Sequence, residues 1–239
     1  MRWVLLGLMC CWALPALAEV GKVAQLEGEA SRTPAGGSAE VLKVSSPIEV
    51  GDELAVQPGG NMALLLTDGS TLLLAGGSRL RIDEATFSGL DRQAFSARLL
   101  LGTVWVKVKE AVAGSPAKFD ITTERAVAGV RGTTFQVELE GEELRVDVEE
   151  GTVEVAHDEE VAGQPKSRRV QQVRKGERLR LLKAKVLRER FAGPRGKFGL
   201  FVRANRERME RLRQELHERK RQERREQQRE QQRERRNPR

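Results

Sequence analysis

Thiol chemistry is almost missing from this sequence: its 239 residues include two cysteines, Cys10 and Cys11, both near the amino terminus. A disulfide framework is therefore excluded as the source of stability, and so is a thiolate nucleophile in the body of the chain. Tyrosine does not occur, aromatic residues make up 4% of the chain, and the two histidines are His157 and His217. Neither histidine stands at a spacing that binds a metal, so no metal site is expected. Without a phosphate loop or a serine elbow, nucleophilic and cofactor chemistry lack actors, and no catalytic residue or cofactor is assigned. Carboxylates are plentiful, but most fall on the outward positions of alternating segments, where solvation explains them better than a glycosidase pair. Trp105 is the only tryptophan beyond residue 12, which supplies a stacking platform for bases or sugars poorly. These absences favour binding over catalysis and predict a non-enzyme.

The first positions do carry a long apolar run. Arg2 precedes Trp3 to Leu14, Pro15 breaks the run, and Ala16-Leu17-Ala18 follows. This is the order of a secretory leader, with a cut expected after Ala18 and a periplasmic or secreted product. The run is shorter than the roughly 20 apolar residues that span a bilayer, so no transmembrane segment is expected once the leader is removed.

Charge is divided along the chain. Residues 19–161 hold 13 Lys/Arg against 25 Asp/Glu, residues 162–197 hold 13 against 2, and residues 198–239 hold 15 against 8. An acidic body is thus followed by a basic end.

From Val20 to Leu182 the sequence alternates apolar and polar residues in short runs separated by Gly, Asp-Gly and Pro, the grammar of strands and turns. Phe135, Val137 and Leu139 oppose Gln136, Glu138 and Glu140; Leu144, Val146 and Val148 follow in the same rhythm, and Val153 and Val155 after Gly151 suggest a three-stranded meander. Asp68-Gly69 separates two almost wholly apolar runs, which predicts a tight hairpin buried on both faces. The fold class expected is all-β, a sandwich or rolled sheet of about a dozen short strands, with a β-helix-like winding as the alternative. Gly193-Pro194 and Gly196 mark a linker. Phe198, Phe201, Val202, Met209, Leu212 and Leu216 then recur at helical spacing, and no apolar residue follows. The organisation expected is a leader over 1–18, a β domain over 19–185, a linker over 186–197 and a charged helical tail over 198–239 whose end frays.

Several phrases exceed generic β grammar. In order they are Gly21 to Val23 with Gly28, Val50-Gly-Asp-Glu-Leu54, the hairpin around Asp68-Gly69, the run ending in Gly102-Thr-Val-Trp-Val-Lys-Val108, Phe119 to Val137, and Gly151-Thr-Val-Glu-Val155. Their order and wording resemble the FecR domain family over residues 20–182, with Ala128-Gly-Val-Arg-Gly-Thr-Thr-Phe135 the most specific phrase. The resemblance implies a compact all-β module of the periplasm or cell exterior, best known as the outer half of iron-transport regulators that relay a receptor signal to a cytoplasmic sigma factor. Those regulators place a cytoplasmic helical region and a retained membrane helix before the β domain. With only a removable leader here, a free-standing exported member is expected.

Gly129, Val130, Arg131, Gly132 and Thr133 read first as a packing corner, since glycines in strands usually report backbone geometry; Arg131 could instead meet Asp120, Glu124 or a partner. Asp68 and Gly69 read as turn residues, not as part of a calcium loop. Three uses of the basic end are open. The stripe 198–216 could pack on its own domain, self-associate or dock an envelope protein. Arg168, Arg169, Arg174, Lys175, Arg219, Lys220, Arg221, Arg224 and Arg225 could contact lipopolysaccharide, anionic lipid or DNA. The basic end could also be held in reserve by the acidic body.

Overall fold

The computed structural model describes residues 19–110, 117–130, 132–159, 167–182 and 185–236. The first strands are β1 (Gly21–Glu27), β2 (Ala30–Thr33), β3 (Glu40–Val41), β4 (Pro47–Ile48) and β5 (Glu53–Val56). The middle of the chain forms β6 (Asn61–Leu66), β7 (Thr71–Ala75), β8 (Arg79–Ser88), β9 (Asp91–Lys107), β10 (Lys118–Thr122) and β11 (Ala126–Val130). There follow β12 (Thr134–Glu140), β13 (Glu143–Glu150), β14 (Thr152–Glu159), β15 (Ser167–Arg174), β16 (Glu177–Leu182) and β17 (Lys185–Arg190), and then one helix, α1 (Gly196–Arg236).

The seventeen strands form one hydrogen-bonded system folded into two layers, because the 17-residue β9 belongs to both. Its first part, from Asp91 to Leu101, pairs with β8 and β10, and its last part, from Gly102 to Lys107, pairs with β7 and β12. The crossing falls at Gly102, where φ is +87° and a Cβ would lie 2.5–2.9 Å from atoms of Ser78. Only glycine fits such a corner. Layer A runs β4-β1-β6-β7-β9-β12-β13-β16-β17, antiparallel throughout. Layer B runs β3-β2-β5-β8-β9-β10-β11-β14-β15, with β9 and β10 its one parallel pair.

Alternate residues of both layers meet in one core. Val104, Val106, Phe135 and Val137 of layer A belong to the same buried cluster as Phe95, Ala97, Phe119 and Ile121 of layer B, and the Phe95 and Phe119 rings stack at 4.6 Å. The architecture is therefore a two-layer sandwich. It has more strands than the expected dozen, because short segments such as β3 and β4 pair only through tertiary contact and leave no period in the sequence. The expected meander is also corrected: β12 and β13 pair in layer A, but β14 pairs with β11 and β15 in layer B. Gly151, with φ +80° and Thr133 Cγ2 2.6 Å from where its Cβ would be, turns the chain from one layer to the other.

The outer strands are protected by length or charge. β3 and β4 have two residues each, whereas β17 is exposed throughout and carries Lys185, Arg188, Glu189 and Arg190. At that end Arg188 Nη2 donates to Gln171 Oε1 at 2.8 Å, joining the two edge strands across the layers. The stretch 186–197, expected to be linker, thus holds most of a paired strand, and only 191–195 lacks regular structure. The charged tail expected to be helical is helix as far as Arg236.

Candidate functional site: the helix-covered sheet face

The hairpin β6–β7 is apolar on both sides because both sides are covered. Met62, Leu64, Leu66, Leu72 and Leu74 face the sandwich core. Ala63, Leu65 and Leu73 point outward, where with Ala24 and Trp105 they form a second buried cluster with Phe201, Val202 and Met209 of α1. Phe198, Leu212 and Leu216 pack at its margin. The helix follows from the sequence: a stripe at i, i+3 and i+4 intervals gives one narrow apolar face, and burying a large side chain on it contributes about 1.5–3 kcal/mol.

Polar contacts fix the position of the helix along the sheet. Trp105 Nε1 donates to Glu149 Oε1 at 2.8 Å, Arg206 pairs with the other oxygen of Glu149, and its guanidinium lies 5.4 Å from the Trp105 ring centroid. One turn further Lys107 pairs with Glu210. Burial raises the Glu210 carboxyl, but the Lys107 hydrogen bond and the charges of Arg213 and Lys107 outweigh it and hold the group below its ordinary range. Asn205, buried, donates back to the Phe201 carbonyl at 2.9 Å.

The seam ends over the Asp68-Gly69 turn. Gly69 has φ +86°, and Arg213 Nε donates to its carbonyl at 2.7 Å. Beneath the turn lies a buried polar knot. Asp68 accepts from Ser70 N and Ser70 Oγ, each at 2.8 Å, and pairs with Arg92, whose guanidinium also donates to Ser70 Oγ at 3.1 Å and sits 5.0 Å from the Phe119 ring centroid. Arg92 and Asp68 are each 2% exposed at the side chain. Cations crowd the helix above. Burial, then the charges of Lys109, Arg213 and Arg221, pull the His217 pKa down, so this imidazole is neutral at neutral pH. Burial likewise lowers Lys109.

Beyond the helix, the outer face of layer A carries a ladder of ion pairs. Arg145 contacts Glu138 at 3.0 Å and Glu143 at 2.8 Å, Arg180 contacts Glu143 at 2.6 Å and Glu189 at 2.7 Å, and Arg178 holds the buried Asp147 at 2.6 Å. Hydrogen bonds from Arg145 and Arg180 lower the Glu143 pKa to about 2.

The residues singled out in the sequence are placed as follows. Gly129 and Val130 end β11, where a Cβ on Gly129 would lie 3.2 Å from Asp120 Oδ1. Gly132 has φ +58°, and Thr133 is buried, its carbonyl accepting from Val108 N at 2.9 Å; Arg131 lies outside the described residues. Arg168, Arg169 and Arg174 are exposed on β15 with Lys175 just after it, whereas Arg219, Lys220, Arg221, Arg224 and Arg225 lie on α1. Arg224 reaches the Gly89 turn between β8 and β9. Four strand spacings, about 19 Å, separate β9 from β15, so the two basic groups are not brought together. The stripe 198–216 lies on its own domain. Sequence reasoning missed Arg92, Glu149 and Arg206, each a charged residue among many with nothing local to mark it.

Among the described residues no cluster of His, Cys, Asp and Glu could hold a metal ion, and no described helix is long and apolar enough to cross a membrane. The site is a sheet face with a helix strapped over it, which defines a β-sandwich with a helical appendage. Residues 52–154 match the family model described as FecR protein. It is similar to two crystal structures of a candidate anti-sigma factor from Parabacteroides distasonis ATCC 8503, at 21% and 22% identity, each with a TM-score of 0.45 over 58% of this chain. The match spans 59% of the length of those chains. No curated protein matches this chain.

Proposed function

We propose that the chain is a non-catalytic interaction module of the cell envelope, exported by its leader, in which the sandwich anchors the first half of α1 and presents the second half to a partner protein. The observation that supports this most is the change along a single helix. Up to Leu216 one face is committed to layer A, whereas Arg219, Arg221, Arg225 and Arg229 stand exposed on the same continuous helix. An isolated polar helix of that length is marginal in water, so a rigid start propagated from the docked half gives the charged half a defined direction. The match of residues 52–154 to the FecR family model supports a finer reading, in which the module senses an envelope signal within a sigma-factor system.

The experiment compares the chain beginning at Glu19 with the same chain ending at His217. Equal melting temperatures and loss of envelope-protein capture from the shortened form are expected. Equal capture by both forms, or a turnover activity in the purified chain, overturns the reading.

A further inference from the structure

The four edge strands of the sandwich are guarded unequally. β3 and β4 have two residues each, too few to hold a further strand. β15 and β17 have eight and six residues and meet at the other end of the sandwich, where Arg188 of β17 bonds to Gln171 of β15. Every residue of β17 is exposed.

The backbone of β17 carries a row of unmade hydrogen bonds. In an antiparallel pair every second residue is bonded across the pair, and the residues between them turn their N–H and C=O the other way. Phe191 N donates to Gly176 O at 2.8 Å, and the register sets Glu189 opposite Arg178 and Leu187 opposite Arg180, so this set is bonded to β16. Val186, Arg188 and Arg190 therefore turn their peptide groups away from the sheet. Val186 and Arg188 stand opposite Leu181 and Leu179 of the core, which puts the side chains of this second set on the inner side of layer A, at its rim.

Charge on an edge strand normally keeps other strands away. Here nearly all of it has one sign. Glu177 and Glu189 are the only carboxylates between residues 162 and 197, against 13 Lys/Arg, and both are engaged: Arg180 holds Glu189 at 2.7 Å, and Glu177 accepts from Arg174 N at 2.9 Å and lies 3.5 Å from Arg188. Lys185 and Arg190 have no acidic partner among the described residues. A second copy of the chain brings the same cations to the edge, and like charges on paired strands destabilise the pair. A strand bearing carboxylates meets them with opposite sign.

We propose that β17 is a docking edge for an extended acidic segment of a partner protein, which joins layer A as a further strand. Main-chain bonds to Val186, Arg188 and Arg190 supply the affinity, and carboxylates at every second position, on the inner face, meet Arg188 and Arg190. This surface is separate from the second half of α1.

The test is an NMR titration of the chain beginning at Glu19 with the peptide N-acetyl-Glu-Val-Glu-Val-Glu-amide. Binding at about 1 mM or tighter is expected, with the amide signals of Val186, Arg188 and Arg190 moving most. N-methylation of the central glutamate blocks a bond to the edge and should weaken binding about tenfold more than N-methylation of a valine, whose N–H faces away. The same five residues with the glutamates contiguous should bind several-fold more weakly. Val186→Pro removes one outward N–H without changing charge, at an edge position that tolerates proline, and should abolish binding while the chain still folds; Arg188→Gln and Arg190→Gln should each weaken it about two- to fivefold. The proposal is overturned if the two methylated peptides bind equally, if the contiguous peptide binds as well as the alternating one, which would mean a plain polyanion surface, if both arginine variants bind like the parent, or if no edge amide moves at about 10 mM peptide. The chain ending at His217 retains β15 and β17, so loss of the tail's partner and loss of this binding are separately readable.

Discussion

Replacing Phe201 by Ala tests whether α1 is a strap over a finished sandwich or part of the core. Phe201 is 4% exposed and lies among Leu65, Leu73 and Trp105. In a closed core Phe→Ala costs about 3–5 kcal/mol. Here the helix can lift, so the loss should appear as local opening of α1 and not as unfolding of the two layers. A loss of about 3 kcal/mol corresponds to roughly a hundredfold increase in the open population. Hydrogen exchange read on residues 200–216 should accelerate by about that factor, while β7 and β12 keep their protection. Trp105 gives a second readout: it is 2% exposed beneath the helix, and in the chain beginning at Glu19 it is the sole tryptophan. Its emission should shift to the red in Phe201→Ala before the main denaturation step. Parallel loss of protection in β7 and β12 would refute the strap, and so would unchanged exchange in α1.

Asp68→Asn leaves the buried Arg92 without its counter-charge and should cost about 3–5 kcal/mol in urea melts. Combining it with Arg92→Met should recover most of that loss, since an apolar replacement of a buried pair is often close to neutral; no recovery would mean that the pair is not the source. Glu143 titrates with a pKa of about 2 in the folded chain, below the ordinary carboxylate value. Its contribution is therefore complete above about pH 4.5 and lost as the pH falls from there toward 2. Glu143→Gln should flatten stability against pH across that window, and an unchanged slope would count against the ladder. Gly102→Ala should lower stability by about 1–3 kcal/mol or more, since φ is +87° and Ser78 occupies the space; melting within error of the parent would remove the argument that β9 turns on that residue.

Much of the site was legible before folding. The doubly apolar runs of β6 and β7 announced two covered faces, and the stripe from Phe198 to Leu216 announced a face that needed a surface. What could not be read was that each answers the other, because Leu65 and Phe201 lie 136 residues apart and no local period links them. The same holds for Arg92. A charged residue after a glycine turn looks solvated, and only the return of β9 beneath the Asp68 turn buries it.

Period-two and helical spacings therefore determined, by themselves, which residues face inward along each segment, that the body is all-β, and that the end is a helix with one apolar side. Backbone geometry and side-chain polarity are local properties, and local sequence encodes them. The tertiary structure decided how strands distribute between two layers, where β9 crosses, which carboxylate meets which guanidinium, and which strands are left at an open edge. Those outcomes depend on contacts between segments far apart in the chain, where many pairings satisfy the same alternation and only simultaneous packing of both layers selects one.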